Sequence, residues 1–244
     1  MKIRSVLILF FIMALVIAKP ISAQAQWDDI FKKLKESIGL SEELSTEKII
    51  AGLKEALHVG TENAVDFVSQ LDGYYKNPEI RIPLPGTVQK AEKVLRTVGY
   101  GQQVDAFELS MNRAAEKAVP GAKRIFWDAI KKMSFTDARK ILDGGDKAAT
   151  LYFKDRTYEP LYNMFKPTVN KTMRQVGVTR RYQDLEKTVR TIPFTEGLNM
   201  DLDDYVTNGT LDGLFTMLAA EEKKIREDPA ARITPLLKGV FGGR

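Results

Sequence analysis

The amino-acid sequence predicts an all-α fold, a single multi-helix domain with one extended, proline-rich arm. Apolar residues recur at helical spacing along most of the chain, and no sustained alternation of apolar and polar residues competes with that period. Of the 244 residues, 44% are hydrophobic and 28% are charged, which is the composition of a globular protein. Glycines, prolines and capping residues divide this pattern into separate helices.

The N-terminal segment 1–25 has the pattern of a secretory signal peptide. A basic start precedes an unbroken apolar run over 6–18, and Ala23 and Ala25 occupy the two positions that a signal peptidase reads. The run is well short of the roughly 20 residues that a membrane-spanning helix needs, which disfavours the alternative of an uncleaved anchor. We therefore expect cleavage after Ala25, a periplasmic or secreted domain over 26–244, and no transmembrane segment after cleavage.

The N-terminal half of the mature chain is predicted to contain four helices. They are expected to cover 27–38, about 46–70 behind the capping residue Ser45, about 87–98, and about 102–133 with an interruption near Pro120-Gly121. Gly39 and Gly99 are expected to end the first and third of these helices.

The arm covers 72–86, between the second and third predicted helices. Its three prolines exclude a continuous helix. Ile80, Ile82 and Leu84 occupy alternate positions, so the arm is predicted to be extended with one apolar side. We expect this side to pack on a helical body, because each aliphatic side chain would otherwise forgo about 1.5–3 kcal/mol of burial. The receiving surface belongs either to the same chain or to a second one, which would give the arm a role in assembly.

The C-terminal half is also predicted to be helical. Ser134 and Asp137 have the spacing of a capping box at the start of a short helix to Leu142. Further helices are expected over about 147–154, 159–176 with Pro167 as a kink, 180–190 and 234–241. Asp201 is expected to cap a turn, and Thr210 to cap a helix that runs to Arg226.

The predicted helix over 102–119 is apolar on two sides, which indicates a central position. Glu108, Asn112 and Glu116 lie four residues apart and form one polar row between those sides. Buried carboxylates need partners, so the row is predicted to be a structural polar network that joins helices. The alternative is an enzyme in which Glu108 and Glu116 hold a hard metal ion or act as acid and base.

Glu222, on the predicted 210–226 helix, is another acidic residue that is predicted to be buried. It falls on the apolar stripe of that helix, and a glutamate that faces inward needs a partner. The expected partner is Arg113 or Arg139. Glu222 therefore joins the predicted polar network, and it is a further candidate carboxylate for the enzyme alternative.

An aromatic run over 152–165 is the best indication of a ligand site. Tyr152, Tyr158, Tyr162 and Phe165 are the candidate ligand-binding residues, because tyrosines offer an apolar body with a polar tip that suits a groove. The alternative is a plain helical core with hydroxyls at its edge, since aromatic faces at helical spacing are usually packing.

Composition excludes several kinds of chemistry. The chain has no Cys and a single histidine, His58, which leaves no cysteine-based or multi-histidine metal site. On a helical wheel His58 lies opposite the apolar stripe, so it is expected to face solvent without the partners that a catalytic triad needs. Without the signal segment the chain has 34 basic and 32 acidic residues, with no basic stripe, which disfavours nucleic-acid binding. No cofactor or metal site is predicted.

Four ungapped stretches of the chain resemble a known bacterial family. They are 77–85 (NPEIRIPLP), 108–120 (ELSMNRAAEKAVP), 144–146 (GGD) and 211–215 (LDGLF). The chain resembles the domain-of-unknown-function family 4197 over nearly all of its length after the signal segment. The resemblance implies an exported, mostly helical bacterial protein with no assigned activity, and it assigns no catalytic residues.

These observations favour a non-enzymatic binding protein of the bacterial cell envelope. The absence of a catalytic constellation in the sequence is the main reason, and the partner is expected to be an apolar small molecule or an envelope protein. A carboxylate-based enzyme and an assembly protein that uses the arm remain the two alternatives.

Overall fold

A computed structural model of the chain describes residues 46–175 and 201–227, which belong to one compact unit over Thr46–Arg244. These two ranges are helical and contain no strand, so the predicted all-α class is confirmed. The predicted signal peptide and the predicted helices over 27–38, 180–190 and 234–241 lie outside the described residues. None of the described helices has a stretch long and apolar enough to cross a membrane.

The described part of the chain forms seven α-helices and one short 3-10 helix. The helices are α1 (Thr46–Ser69), α2 (Gly86–Thr97), α3 (Gly101–Ala118), α4 (Ala122–Lys132), α5 (Phe135–Asp143), α6 (Ala148–Gln175) and α7 (Leu202–Glu227). The 3-10 helix, Val119–Gly121, lies between α3 and α4 at the predicted interruption near Pro120-Gly121. The predicted capping box is confirmed at α5, where the Asp137 N–H donates to the Ser134 hydroxyl and the Ser134 N–H to the Asp137 carboxylate.

The core lies where α7 packs along α6 and α1, and where α3 packs against α6 and α7. Several helices contribute large, fully buried side chains to it, among them Phe107, Phe126, Phe153, Phe165, Leu53, Leu161 and Met173. Aromatic rings meet edge to face inside it, with the Phe126 and Phe153 centroids 5.2 Å apart. The central position predicted for the 102–119 helix agrees with this packing of α3.

Helix α6 is longer than the sequence predicted. The expected break between 154 and 159 is wrong, since one helix runs through both Pro160 and Pro167. A proline inside a helix costs about 3 kcal/mol. The side chains of Phe153 and Leu161 on either side of the expected break are fully buried, and the burial of such a side chain stabilises by about 1.5–3 kcal/mol. Packing of this buried face therefore outweighs the local proline signal.

Helix α7 begins earlier than predicted. Asp201 caps it, because the Asp204 N–H donates to the Asp201 carboxylate at 3.0 Å. The predicted helix start at Thr210 is wrong. Thr210 is buried within α7, and its hydroxyl donates to the Val206 carbonyl at 2.7 Å instead of capping a helix. A mid-helix threonine that bonds back to the previous turn has the same sequence signature as a cap.

Candidate functional site

The arm lies against the helices. Residues 72–76 and 78–80 form turns, whereas Asn77 and 81–85 do not, so the arm is less extended than predicted. The predicted burial of Ile80, Ile82 and Leu84 is confirmed, since each is at most 5% exposed. The receiving surface within this chain includes α7, where Ile82 lies against Gly209.

Tyr74 anchors the start of the arm. Its side chain is fully buried, and its hydroxyl donates to the Thr210 carbonyl of α7 at 2.6 Å. Burial raises the pKa of the phenol well above its usual value, with a further contribution from the nearby Glu116 carboxylate. Gly213 makes room for the ring, because a Cβ there would lie 2.5 Å from a Tyr74 ring carbon. The small residue on α7 and the aromatic residue on the arm therefore fit together.

Asn112 of α3 holds the centre of the arm. Its side-chain oxygen accepts a hydrogen bond from the Ile82 N–H at 2.8 Å, and its side-chain nitrogen donates to the Ile82 carbonyl at 2.9 Å. Both residues are fully or almost fully buried. The amide thus satisfies both backbone groups of one arm residue, as a neighbouring strand would.

Glu116 holds the start of the arm in a similar way. One of its oxygens accepts hydrogen bonds from the backbone N–H groups of Tyr74 and Tyr75, at 3.2 and 3.4 Å. The other oxygen pairs with Arg113 at 2.6 Å, and Arg113 also pairs with Asp72. Hydrogen bonds from Lys76 and Arg113 lower the pKa of Asp72. Every oxygen of the Glu116 carboxylate therefore has a donor within the chain.

Glu108 completes the polar row at the rim of the arm. Its carboxylate pairs with Arg81 at 2.6 Å, and Arg81 stacks over the ring of Tyr75 at 4.7 Å. The row of Glu108, Asn112 and Glu116 therefore joins α3 to the arm, whereas the sequence predicted a network between helices. Within 46–175 and 201–227, no three acidic or imidazole side chains converge as metal ligands.

Glu222 has a different partner from the two that were predicted. It pairs with Arg226, one turn later in α7, at 2.9 Å. Its two oxygens also accept hydrogen bonds from the Ala149 and Thr150 N–H groups at 2.9 and 2.8 Å, and from the Thr150 hydroxyl. A carboxylate at this place satisfies the free N–H groups that begin α6 and complements the helix dipole.

The two arginines that were predicted to pair with Glu222 have other partners. Arg113 belongs to the arm network, and the exposed Arg139 lies 3.8 Å from Asp143 on its own helix. The contact of Glu222 with the start of α6 depends on how α6 and α7 cross, and helical spacing in the sequence does not determine that crossing.

Most of the predicted aromatic ligand site lies in the seam between α6 and α7. The Tyr158 ring stacks near Phe215, with centroids 6.3 Å apart, and its hydroxyl donates to the Asn208 side chain at 3.0 Å. Phe165 is fully buried. The Tyr162 hydroxyl donates to Asp204. These contacts favour the alternative interpretation, a helical core with hydroxyls at its edge.

The Tyr162 end of that seam is an ionic cluster. Lys166 contacts the Asp204 carboxylate and lies 3.6 Å from Asp201. Hydrogen bonds from Lys166 and Tyr162 lower the pKa of Asp204, and the bond to Asp204 raises the pKa of Lys166 above its usual value. The cluster ties the start of α7 to α6, and its polar groups bond one another.

Tyr152 is the one candidate aromatic residue in an open cleft. Its hydroxyl donates to the Ala129 carbonyl at 3.2 Å. The ring forms part of a cleft of about 390 Å³ between α4, the start of α5 and α6. Ile125 and Pro160 supply apolar walls, and Lys132 and Arg156 lie at the same opening. We call this the α4–α6 cleft.

A second open region lies on the other flank of α4, between α4 and α1. It is a groove of about 500 Å³ that contains Ala51, His58, Val59, Trp127 and Ile130. Trp127 is 40% exposed, and the His58 ring packs on it edge to face at a centroid distance of 4.4 Å. The His58 side chain is 34% exposed, so it faces solvent as expected, and Trp127 is a neighbour that the sequence did not indicate. We call this region the α1–α4 groove.

Sequence reasoning missed Trp127 and His58 as a pair. They lie 69 positions apart, so no local pattern links them. The available signal was Trp127 itself, which falls directly beside the buried Phe126 and outside the buried stripe of α4. A large aromatic residue next to a core stripe is a candidate for a partly exposed surface.

Comparison with known proteins gives one match. The model of a family described as "protein of unknown function (DUF4197)" matches residues 43–242. No curated protein and no solved structure is significantly similar to the chain. The matched range includes all four stretches that carried the resemblance in the sequence. The chain therefore belongs to the DUF4197 family.

Proposed function

We propose that this protein is a non-enzymatic binding protein that acts outside the bacterial cytoplasm and takes an apolar small molecule in its α1–α4 groove. One observation carries the proposal: the Trp127 indole is 40% exposed inside a groove with apolar walls. A half-exposed tryptophan leaves a large apolar area in water, and a ligand that covers it gains roughly 25 cal/mol for each Å² removed from solvent.

The size and lining of the groove support a small molecule as its occupant. Its volume of about 500 Å³ falls within the range of roughly 300–1,000 Å³ that is usual for ligand pockets. Val59 and Ile130 supply aliphatic walls, and the charged side chains of Lys54, Glu55 and Lys131 also line the groove. Apolar walls with polar groups beside them suit a ligand with an apolar body.

The indole is held in position before any ligand binds. The His58 ring packs edge to face on it, and Glu62 lies 3.5 Å from a ring nitrogen of His58. The Lys131 ammonium lies 5.1 Å from the centre of the indole. Contacts on two sides reduce the side-chain freedom that binding would otherwise have to remove.

The buried carboxylates support binding in preference to catalysis. Glu116 and Glu222 both accept several hydrogen bonds from within the chain, and Glu108 is paired with Arg81. A general acid or base needs a proton position within reach of substrate. Groups that are already saturated by backbone and arginine donors suit a structural role.

The test uses phenylnaphthylamine, a neutral fluorescent probe with an apolar body. We expect it to bind the full-length protein, and we expect Trp127→Ala to weaken binding by at least about tenfold, the equivalent of about 1.4 kcal/mol of lost contact. Phe135→Ala is the matched control, because Phe135 is 48% exposed and lies outside the groove. It should leave the affinity unchanged.

A second readout places the probe beside Trp127. The chain has two tryptophans, so Trp27→Phe leaves Trp127 as the single indole. Bound phenylnaphthylamine should then quench the indole emission with the same midpoint as the probe signal. Equal affinity in wild type and Trp127→Ala, or no binding to the wild type, would contradict the proposal.

A further inference from the structure

The α4–α6 cleft differs from the α1–α4 groove in its charges. Two acidic and two basic side chains line it, namely Asp128, Asp137, Lys132 and Arg156. The four formal charges cancel, so the character of the cleft depends on which of them already have partners.

Both acidic side chains of the cleft are engaged within the chain. Asp137 accepts hydrogen bonds from the N–H and the hydroxyl of Ser134 at 3.2 and 2.7 Å, as part of the α5 cap. These bonds, aided by the nearby charge of Arg156, lower the pKa of Asp137. Asp128 lies 3.6 Å from Lys131 on its own helix. Asp128 therefore shares its charge with Lys131, whereas Asp137 keeps its negative charge near Arg156.

Lys132 is the less committed of the two basic side chains, since the charge of Arg156 also acts on Asp137. Among the described residues, no carboxylate lies within ion-pair distance of Lys132. Arg156 has a 3.5 Å contact to its neighbour Asp155, and both of these side chains are more than half exposed. Exposed pairs of this kind contribute about 0–1 kcal/mol and exchange readily for a better partner. The opening of the cleft therefore offers an ammonium and a guanidinium.

Apart from Thr157, whose hydroxyl donates to the Phe153 carbonyl, the remaining lining is apolar or aromatic. Ile125, Ala129 and Pro160 lie along the cleft, and the Tyr152 ring closes one side with its hydroxyl already bonded to the Ala129 carbonyl. The ring is thus fixed and presents its apolar body to the cleft. A molecule that fills this space meets apolar walls, the two cations Lys132 and Arg156, and the two carboxylates.

We infer that the α4–α6 cleft binds a small organic anion, one negatively charged head group on an apolar body. The head group pairs with Lys132 and Arg156, and the body packs on Tyr152 and Ile125. Guanidinium groups bind carboxylate, sulfonate and phosphate oxygens through paired hydrogen bonds, and this shared chemistry defines the class of ligand. The inference is independent of the α1–α4 groove, since α4 turns opposite flanks to the two regions.

The test uses anilinonaphthalene sulfonate, which carries the same ring system as phenylnaphthylamine plus an anionic group. We expect the Lys132→Gln, Arg156→Gln double variant to weaken its binding by at least about tenfold while leaving phenylnaphthylamine binding unchanged. A Lys171→Gln, Lys154→Gln double variant on α6 is the control for net charge, and it should behave like the wild type. Added salt should weaken binding of the sulfonate in the wild type and change little in the double variant.

The outcomes separate this site from the groove. Loss of sulfonate binding in Trp127→Ala but not in the Lys132/Arg156 variant would place the anion in the groove and overturn the inference. Equal weakening by the Lys154/Lys171 control would show an effect of overall charge and overturn it as well. Tyr152→Leu sharpens the test, because it should reduce sulfonate affinity severalfold while urea unfolding confirms that the variant is folded.

Discussion

The polar row of α3 and the two flanks of α4 use their side chains in opposite ways. Along α3, Asn112 and Glu116 are buried, and their polar side-chain atoms bond groups of the same chain. Along α4, Trp127 and Lys132 are exposed, and Lys132 pairs with no carboxylate of the described residues. The first region is closed by bonds within the chain, whereas the second leaves part of an indole and an ammonium group exposed to solvent.

This difference shows how polar residues in a chain without known chemistry are best interpreted. A buried carboxylate attracts attention as a catalytic candidate, but its partners decide its role. Where arginines and backbone N–H groups saturate it, removal costs stability. Where a side chain is half exposed and lacks a partner, removal should cost affinity and little stability.

The largest expected effect lies in a second closed cluster, at Glu222. Glu222→Ala removes the acceptor of the first N–H groups of α6 and leaves Arg226 with its bond to the Ile141 carbonyl, and breaking a buried pair in this way costs about 3–5 kcal/mol. Urea unfolding followed by circular dichroism measures the loss. Glu227→Ala is the control, since Glu227 is exposed and lies 3.9 Å from Lys223, and it should stay within about 0.5 kcal/mol of wild type.

The next largest effect is expected at Asn112. Asn112→Ala removes both hydrogen bonds to the Ile82 backbone and leaves a buried N–H and carbonyl unsatisfied, which should cost about 2–4 kcal/mol. The same urea measurement applies, with the exposed Asn163→Ala as the control. A loss below that of the control would mean that water replaces the amide, and the arm would then not be a closed region.

The smallest of the three effects is expected at Gly213. In Gly213→Ala the added Cβ would lie 2.5 Å from the Tyr74 ring and 3.1 Å from Ile80, so the arm must shift, at a cost of about 1–3 kcal/mol. Gly86→Ala is the matched control, because nothing lies within 4 Å of a Cβ there and alanine favours a helix. In thermal unfolding, the Tm should fall in Gly213→Ala and rise in Gly86→Ala, or fall clearly further in Gly213→Ala than in Gly86→Ala.

Local signals in the sequence predicted most of the described helices. Ser134 and Asp137 marked the start of α5, Gly99 marked the end of α2, and Pro120-Gly121 marked the interruption between α3 and α4. These features act within a few residues, so the sequence is enough to place them. The failures came where packing over a longer range opposed the local signal, as at Pro160 inside α6.

The candidate site was only partly predictable for the same reason. The spacing of Glu108, Asn112 and Glu116 placed them in one row, but the arm residues that they bind are 27–42 residues away along the chain. Glu222 meets the start of α6 over a separation of 72–73 residues. Helical periodicity gives the direction of a side chain from its own helix, and it contains nothing about which distant backbone lies opposite.

We conclude that the contacts between α3 and the arm stabilise the fold, and we propose that the α1–α4 groove binds the ligand. The most direct test measures phenylnaphthylamine binding and urea unfolding on the same two variants, Asn112→Ala and Trp127→Ala. Binding is measured at low temperature, so that the destabilised variant is folded during the titration. We expect Asn112→Ala to lose about 2–4 kcal/mol of stability and keep the wild-type affinity, and Trp127→Ala to lose at least about tenfold in affinity with a stability change of only about 1 kcal/mol. The opposite pattern, with binding lost in Asn112→Ala and kept in Trp127→Ala, would contradict the account.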